Sequence, residues 1–268
     1  MTTSNGSDAL TRICARLDRA EEHRKAIQAQ KGRIEERGGG LRVEPNADQS
    51  VLDVFWQFPA HEWALVVSDA FHQFRAALDN LVYALHVAHS GSPHAGAAHK
   101  IAFPIYTIPE EFDERGVKNI AGVHPDARAF IRRAQPYNRR DRPEFHPLAV
   151  LAEFNNRDKH REPHLAMVVL DTLTMTNVDN WPIARTWVSN APIAEDGAFL
   201  ARIEFVNPMQ RGMKMEFEPF GRVGLHYTWR EGRGDTAIDR TVVTPLDSTL
   251  KGIHNRACRV VAVLAPFL

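Results

Sequence analysis

Two short runs of this chain carry residues whose types and spacing suit acid–base and anion chemistry. The first lies in Trp63 to His89, where Ser68, His72, Arg75, Asp79 and His86 recur at spacings of four, three, four and seven. On a helix those intervals stack the side chains along one stripe. The second is the run from Asn155 to Arg161, where Asn155, Asp158, Lys159, His160 and Arg161 crowd a helix end. A histidine can move a proton, an arginine can hold an anionic transition state, and a carboxylate can orient both. Together the runs offer His72 or His160 as the acid/base group. Arg75 and Arg161 would be the anion stabilisers and Asp79 and Asp158 the orienting carboxylates, with Asn155 and Lys159 as ligand contacts. Such a set suits metal-independent cleavage of RNA. The same residues also suit a buried network that locks two helices together, because buried charges are paired whether or not they serve a reaction.

The first run is unusual as a polar helix face. From Trp63 to His99 there is no Lys or Glu, although these are the residues a solvated helix face ordinarily carries. The face uses short or planar groups that make directed hydrogen bonds, and Arg75 and Asp79, one turn apart, read as an ion pair. A further cluster of arginines, Arg128, Arg132, Arg133, Arg139, Arg140 and Arg142, surrounds Phe130 and the run Gln135-Pro136-Tyr137. Arginine is suited to two-pronged contacts with phosphate, and an aromatic ring among arginines is compatible with RNA. Arg132, Arg133, Tyr137, Arg139 and Arg140 are therefore candidate ligand-binding residues. The plainer reading is an exposed basic helix facing the acidic turn from Glu110 to Glu114. His86, His89, His94 and His99 span a Gly/Ala/Ser loop. Without a cysteine among them they read as a solvated loop rather than a metal site.

No phosphate-binding glycine loop, dinucleotide fingerprint, Gly-x-Ser-x-Gly elbow, zincin helix or EF-hand loop is present. The sequence therefore points away from P-loop ATPases, Rossmann oxidoreductases and α/β-hydrolases, and it implies no cofactor.

The elements that must position these residues follow from periodicity. Trp63, Val66, Val67, Ala70, Phe71, Phe74, Ala77, Leu78, Leu81, Val82 and Leu85 fill one arc at helical spacing, with Pro59 before it and Gly91 and Pro93 after it. Pro147 opens a second helix to about His160, and Pro163 breaks it. Leu148 and Leu151 mark its apolar face, which Asn155 and Asp158 continue. Residues 8–36 read as a charged N-terminal helix, a candidate surface for a second copy of the chain. Residues 41–44 and 51–58 read as two strands, and Pro125 opens a helix through Arg133. After Leu165 alternation takes over, at 199–205, 213–217 and 223–229, which marks antiparallel strands with one wet face. A helix over 247–268 closes the chain. The predicted fold is α+β in one domain over 1–268, with a mainly helical half (41–164) after the N-terminal helix and an antiparallel sheet at 165–246.

The chain has 33 basic and 33 acidic residues and is formally neutral. Whole-chain steering toward nucleic acid or membrane is therefore absent, and any such binding needs a local patch. Two cysteines in 268 residues do not make a disulfide framework. The polar start lacks an apolar signal core, and the longest apolar run, 260–268, is too short to span a bilayer. These features lead to the expectation of a cytoplasmic protein with no membrane partner.

The set Asp69-x-x-His72-x-x-Arg75-x-x-Leu78-Asp79, then Phe103-Pro-Ile, Gln135-Pro-Tyr and Asp158-Lys-His-Arg161 resembles a family of bacterial proteins that shares these motifs and carries no assigned activity. The resemblance covers roughly residues 40–165. A looser similarity is to the HEPN ribonucleases, whose hallmark is Arg, a polar residue, then His. Arg157-Asp158 with His164, and Arg140-Asp141 with His146, match that spacing. Pro163 and Pro147 interrupt the helix that the hallmark occupies in that family, and the large β half departs from it. The sequence thus leads to two expectations. One is a protein that binds or cleaves an anionic ligand, RNA or a nucleotide, between two helices. The other is a non-catalytic interaction or scaffold protein in which the same residues form a structural network.

Overall fold

The computed structural model describes residues 3–36, 40–57, 60–94, 96–159, 166–189, 197–210, 214–231 and 238–268. Within these ranges, some residues, 157–159 and 166–173 among them, are described by backbone alone. The fold is α+β. Two compact units divide the chain, one formed by Met1–Lys25, Val66–His164 and Asp247–Leu268, the other by Ala26–Leu65 and Leu165–Leu246.

The first unit is helical. Helix α1 runs over Thr3–Glu36, α2 over Ala60–Ser90, and the short α3 and α4 over Pro109–Glu111 and Val117–Asn119. A single π turn, Phe112–Gly116, joins the last two. Helix α5 covers Pro125–Arg133, α6 Pro147–Lys159 and α7 Leu246–Leu264. The apolar arc read from the sequence is the core: Val67, Ala70, Phe71, Phe74, Ala77, Leu78, Leu81, Val82 and Leu85 of α2 are all buried. Helix α6 packs directly on it, with the Phe154 ring stacked on Phe71 at 4.6 Å and 17°. Ile13, Leu17 and Ala20 of α1 are buried within the single chain. Arg16 donates to the Gln73 side chain of α2 (3.0 Å), and Arg24 pairs with Asp247 at the start of α7.

Helix α2 ends where the sequence placed its stop. Gly91 has φ +78°, the left-handed conformation that terminates helices and that only glycine enters without a Cβ penalty. Gly122 serves a close approach instead. A Cβ there would fall 2.2 Å from the His86 ring, and its carbonyl accepts from the Ser90 hydroxyl (2.8 Å).

The second unit holds two antiparallel sheets. One has the order β1-β2-β5-β4 and the other β3-β6-β7. The strands are β1 Leu41–Pro45, β2 Val51–Trp56, β3 Ala166–Asn177, β4 Ile183–Val188, β5 Phe199–Phe205, β6 Met215–Glu231 and β7 Ile238–Pro245. Leu52, Val54 and Trp56 of β2 and Leu200, Ala201, Ile203 and Phe205 of β5 are buried.

Several details differ from the sequence reading, among them strand β7, which no alternating run marked. From Met215 onward, the alternating runs at 213–217 and 223–229 belong to one long strand, β6, not two; Met213 lies outside the described residues. Pro219 lies within it, where β6 pairs only with β3, opposite Leu173; β7 joins the ladder from Gly224 onward. A proline is tolerated where one side of a strand lacks a partner. Strand β4 was not expected at all. Its residues Ile183 to Trp187 are exposed, so it carries no buried face for a periodicity search to detect.

The α2–α6 contact is measurable. Phe154→Ala removes a fully buried ring stacked on Phe71, and the expected loss is about 3–5 kcal/mol. A urea midpoint within the error of wild type would show that the two helices do not depend on this contact.

Candidate functional site

The polar stripe of α2 forms its ion pair. Arg75 Nε donates to Asp79 Oδ2 at 3.0 Å, and Arg75 Nη2 lies 2.9 Å from Oδ1. A two-pronged pair of this kind fixes the guanidinium plane. Asp79 Oδ1 also accepts the backbone N–H of Phe103 at 2.8 Å. One carboxylate therefore orients the arginine and anchors the extended segment after α2.

That segment has a second anchor. Gln135, 1% exposed, donates from Nε2 to the carbonyls of Pro104 (2.8 Å) and Ile131 (3.0 Å). Its Oε1 accepts the Tyr106 N–H (3.1 Å). The three polar functions of the side chain are thus spent on backbone, which explains why a glutamine can be buried here. Asp79 and Gln135 hold residues 103–106 from either end, so Phe103-Pro-Ile, Gln135-Pro-Tyr and the Arg75/Asp79 pair are parts of one construction.

The construction frames a cavity of about 210 Å³. Its wall is made by Arg75, residues 102–106, Asn119, and Ala152, Asn155 and Asn156 of α6. Asp79 is not part of that wall, so among the described residues the guanidinium, gripped by its carboxylate, is the one charged side chain lining it. Asn155 is 7% exposed and has no hydrogen-bond partner among the described residues. Its carboxamide atoms are not among the fully buried polar atoms without a partner, so they meet solvent through the cavity they line. Asn119 donates to the Lys100 carbonyl (2.7 Å), which leaves its side-chain oxygen. Burial raises the Tyr106 phenol above its ordinary range, so it stays a neutral hydrogen-bonding group at physiological pH.

The structure brings together Arg75, Asp79 and Asn155 from the residues singled out by sequence. His72 is exposed and is not part of the wall. Asp158 and Lys159 lie in α6 with side chains outside the described residues, and His160 and Arg161 lie outside the described residues altogether. The arginine cluster is elsewhere on the unit and largely occupied with its own neighbours. Arg132 pairs with Asp113 at 2.5 Å and lies 5.0 Å over the Phe112 ring. Arg133 lies 4.3 Å over Phe130, and Tyr137 meets Phe112 edge-on at 5.8 Å. Arg139 and Arg140 are exposed. The pairing of Arg132 with Asp113 fits the plainer reading of this cluster. Among the described residues no group of three His, Cys, Asp or Glu stands close enough together to hold a metal ion. Sequence reasoning missed Tyr106, Asn119 and Asn156. Asn156 adjoins Asn155, but no periodicity marks a wall formed by an irregular segment.

Of the two Arg-polar-His matches, the first involves residues outside the described side chains. In the second, His146 precedes α6, where its Nδ1 accepts the Leu148 N–H at 3.2 Å in the manner of a helix N-cap. Burial, then the nearby charges of Arg256 and Arg139, push its pKa down to about 4.

The chain matches no protein-family model, no curated protein and no solved structure.

Two outcomes follow from this geometry. Asp79→Ala strips the partner from a half-buried guanidinium and orphans the Phe103 N–H; the expected cost is about 2–4 kcal/mol, read from denaturant unfolding. A loss below about 0.5 kcal/mol would deny the carboxylate its anchoring part. For His146, the unfolded chain takes up its proton near pH 6.5 and the folded chain only near 4. Its contribution to stability is therefore complete above about pH 6.5 and is lost as the pH falls toward 4. For a ring with partial solvent access the loss is about 1–2 kcal/mol. His146→Asn, which keeps a capping oxygen, is expected to flatten the acid limb of the stability curve. An unchanged limb would place the acid sensitivity in other groups.

Proposed function

We propose that the Arg75 cavity binds a small anionic group, the phosphoryl end of a nucleotide or of a short RNA. The observation that carries this reading is Asn155, a residue nine-tenths buried on the cavity wall whose carboxamide faces the cavity and makes no hydrogen bond among the described residues. Beside it stands a guanidinium whose orientation is already fixed by Asp79. Preorganised donors of this kind gain affinity because little freedom remains to be lost on binding. The size supports a group rather than a whole ligand: about 210 Å³ lies below the roughly 300 Å³ at which pockets for complete small molecules begin.

The described wall supports binding more than cleavage, since it holds an arginine, three asparagines and a tyrosine but no histidine or carboxylate. Cleavage would draw on His160 and Arg161. The motif family suggested by residues 69–79, 135–137 and 158–161 belongs with this reading, as Arg75 lines the cavity and Gln135 holds residues 104 and 106 of its wall; residues 160 and 161 lie outside the described residues. The looser HEPN analogy has less support, because His146 works as a helix cap.

A second reading has its own observation. Asp79 and Gln135 spend their hydrogen bonds on backbone, as a purely structural network would. In that case the protein is a non-catalytic scaffold and the cavity holds only water.

Thermal unfolding of the full chain separates the two. The probes are inorganic phosphate, pyrophosphate and nucleoside monophosphates, compared across wild type, Asn155→Ala and Asn155→Leu. A probe at one hundred times its Kd is expected to add about 2.7 kcal/mol to wild-type stability, and to add nothing to an Asn155→Leu protein that melts cooperatively on its own. If no probe moves the wild-type midpoint, or if Asn155→Leu responds as wild type does, the scaffold reading stands instead.

A further inference from the structure

The four-stranded sheet of the second unit has an outward face that the Arg75 cavity does not explain. Phe55 of β2 stands opposite Phe199 of β5 in the ladder, with the rings edge to face at 5.8 Å. Trp187 of the edge strand β4 is stacked on Phe199 at 5.2 Å and 28°. A row of three rings therefore crosses three neighbouring strands. Trp187 is 51% exposed, so the open end of the row is a large aromatic surface left in water.

Arginines border the row. The Arg42 guanidinium lies 4.7 Å over the Phe55 ring, and that of Arg202 is 6.0 Å from the centre of Phe199. Carboxylates hold both in place: Arg42 pairs with Glu44, and Arg202 grips Asp53 through Nε (2.7 Å) and Nη2 (2.8 Å). Arg185, two residues before Trp187 and so on the same face of β4, is exposed and has no ion-pair partner among the described residues. Glu44 and Asp53 are thus paired, Glu204 stands opposite Arg185 in the ladder, and guanidinium planes lie against aromatic planes.

We propose that the Phe55–Phe199–Trp187 face binds single-stranded nucleic acid by base stacking. Aromatic side chains and arginine planes on an open sheet are the surfaces on which unpaired bases stack, with little dependence on sequence. Neighbouring strands lie about 4.8 Å apart, so the row from β2 to β4 spans roughly 10 Å, room for about two bases. A dry protein interface fits less well. The rings are ringed by ion pairs whose desolvation such an interface would have to bear, whereas a nucleotide strand leaves them wet. The inference stands on the second unit alone and does not depend on the Arg75 cavity.

The test is fluorescence anisotropy of a labelled eight-residue oligouridine with the full chain. Wild type is expected to bind, and Trp187→Ala to weaken binding about tenfold or more. Trp187→Phe is expected to recover most of the loss, and Arg185→Ala to weaken binding a few-fold. A single-stranded DNA of the same length competes and its duplex does not. With Arg42 and Arg202 already paired, log Kd changes with log salt by a slope of only about one to two. Failure of wild type to bind overturns the proposal. So does a folded Trp187→Ala protein that binds as wild type does, a duplex that competes equally, or a neutral oligosaccharide that displaces the oligouridine. Pyrophosphate cannot stack, so at concentrations that stabilise the protein through the Arg75 cavity it leaves the oligouridine bound. Displacement by pyrophosphate would assign the oligonucleotide to that cavity and overturn the proposal for the sheet.

Discussion

The carboxylate of Asp79 is the hinge of the helical unit's polar chemistry. It accepts from the Arg75 guanidinium and from the Phe103 backbone at once, so a side chain on α2 decides where the following segment runs. Without that acceptor the arginine would be drawn toward solvent and the segment would lose one of its two anchors. Gln135 supplies the other from the end of α5, and it does so with neutral groups because its site is closed to water. Charge is used where the wall stays open, and amide hydrogen bonding where it does not. That division follows the cost of burying an ion compared with a satisfied amide.

The hydrophobic frame sets the distances within which this chemistry works. Phe71 stacked on Phe154 fixes α6 against α2, and the next residue of α6, Asn155, lines the cavity that Arg75 also lines. The core and the candidate site are therefore the same pair of helices seen from two sides. The close approach of Gly122 to His86 and the Ser90 bond to its carbonyl hold the chain before α5 against α2 in the same frame. The second unit uses a different device. Its four-stranded sheet buries one face in the usual alternation and leaves aromatic rings on the other, held by guanidinium planes rather than by a core.

Much of this was legible in the residues themselves. Helical spacing gave α2 and α6, proline and glycine marked their ends, and four-residue spacing foretold the Arg75–Asp79 pair, because each of these is decided within one or two turns. Alternation likewise revealed β2, β5 and the two halves of β6. What escaped was whatever lacked a local period: the strands β4 and β7, the continuity of β6 through Pro219, and the part that the extended segment 102–106 plays as half of the cavity wall.

The sequence by itself determined which residues are polar where a core is expected, and that Arg75, Asp79 and Asn155 lie on helix faces. It did so because covalent spacing and helix geometry fix a side chain's direction within its own element. Only the tertiary structure decided that Asn155 faces the cavity beside Arg75 while His72, on the same stripe, faces water. Only the tertiary structure gave Gln135 its hold on Pro104 and Tyr106, and set Trp187 on Phe199 across a ladder. Those placements rest on contacts between residues tens of positions apart, whose pairing is chosen by the packing of the whole fold and leaves no spacing in the chain to be read.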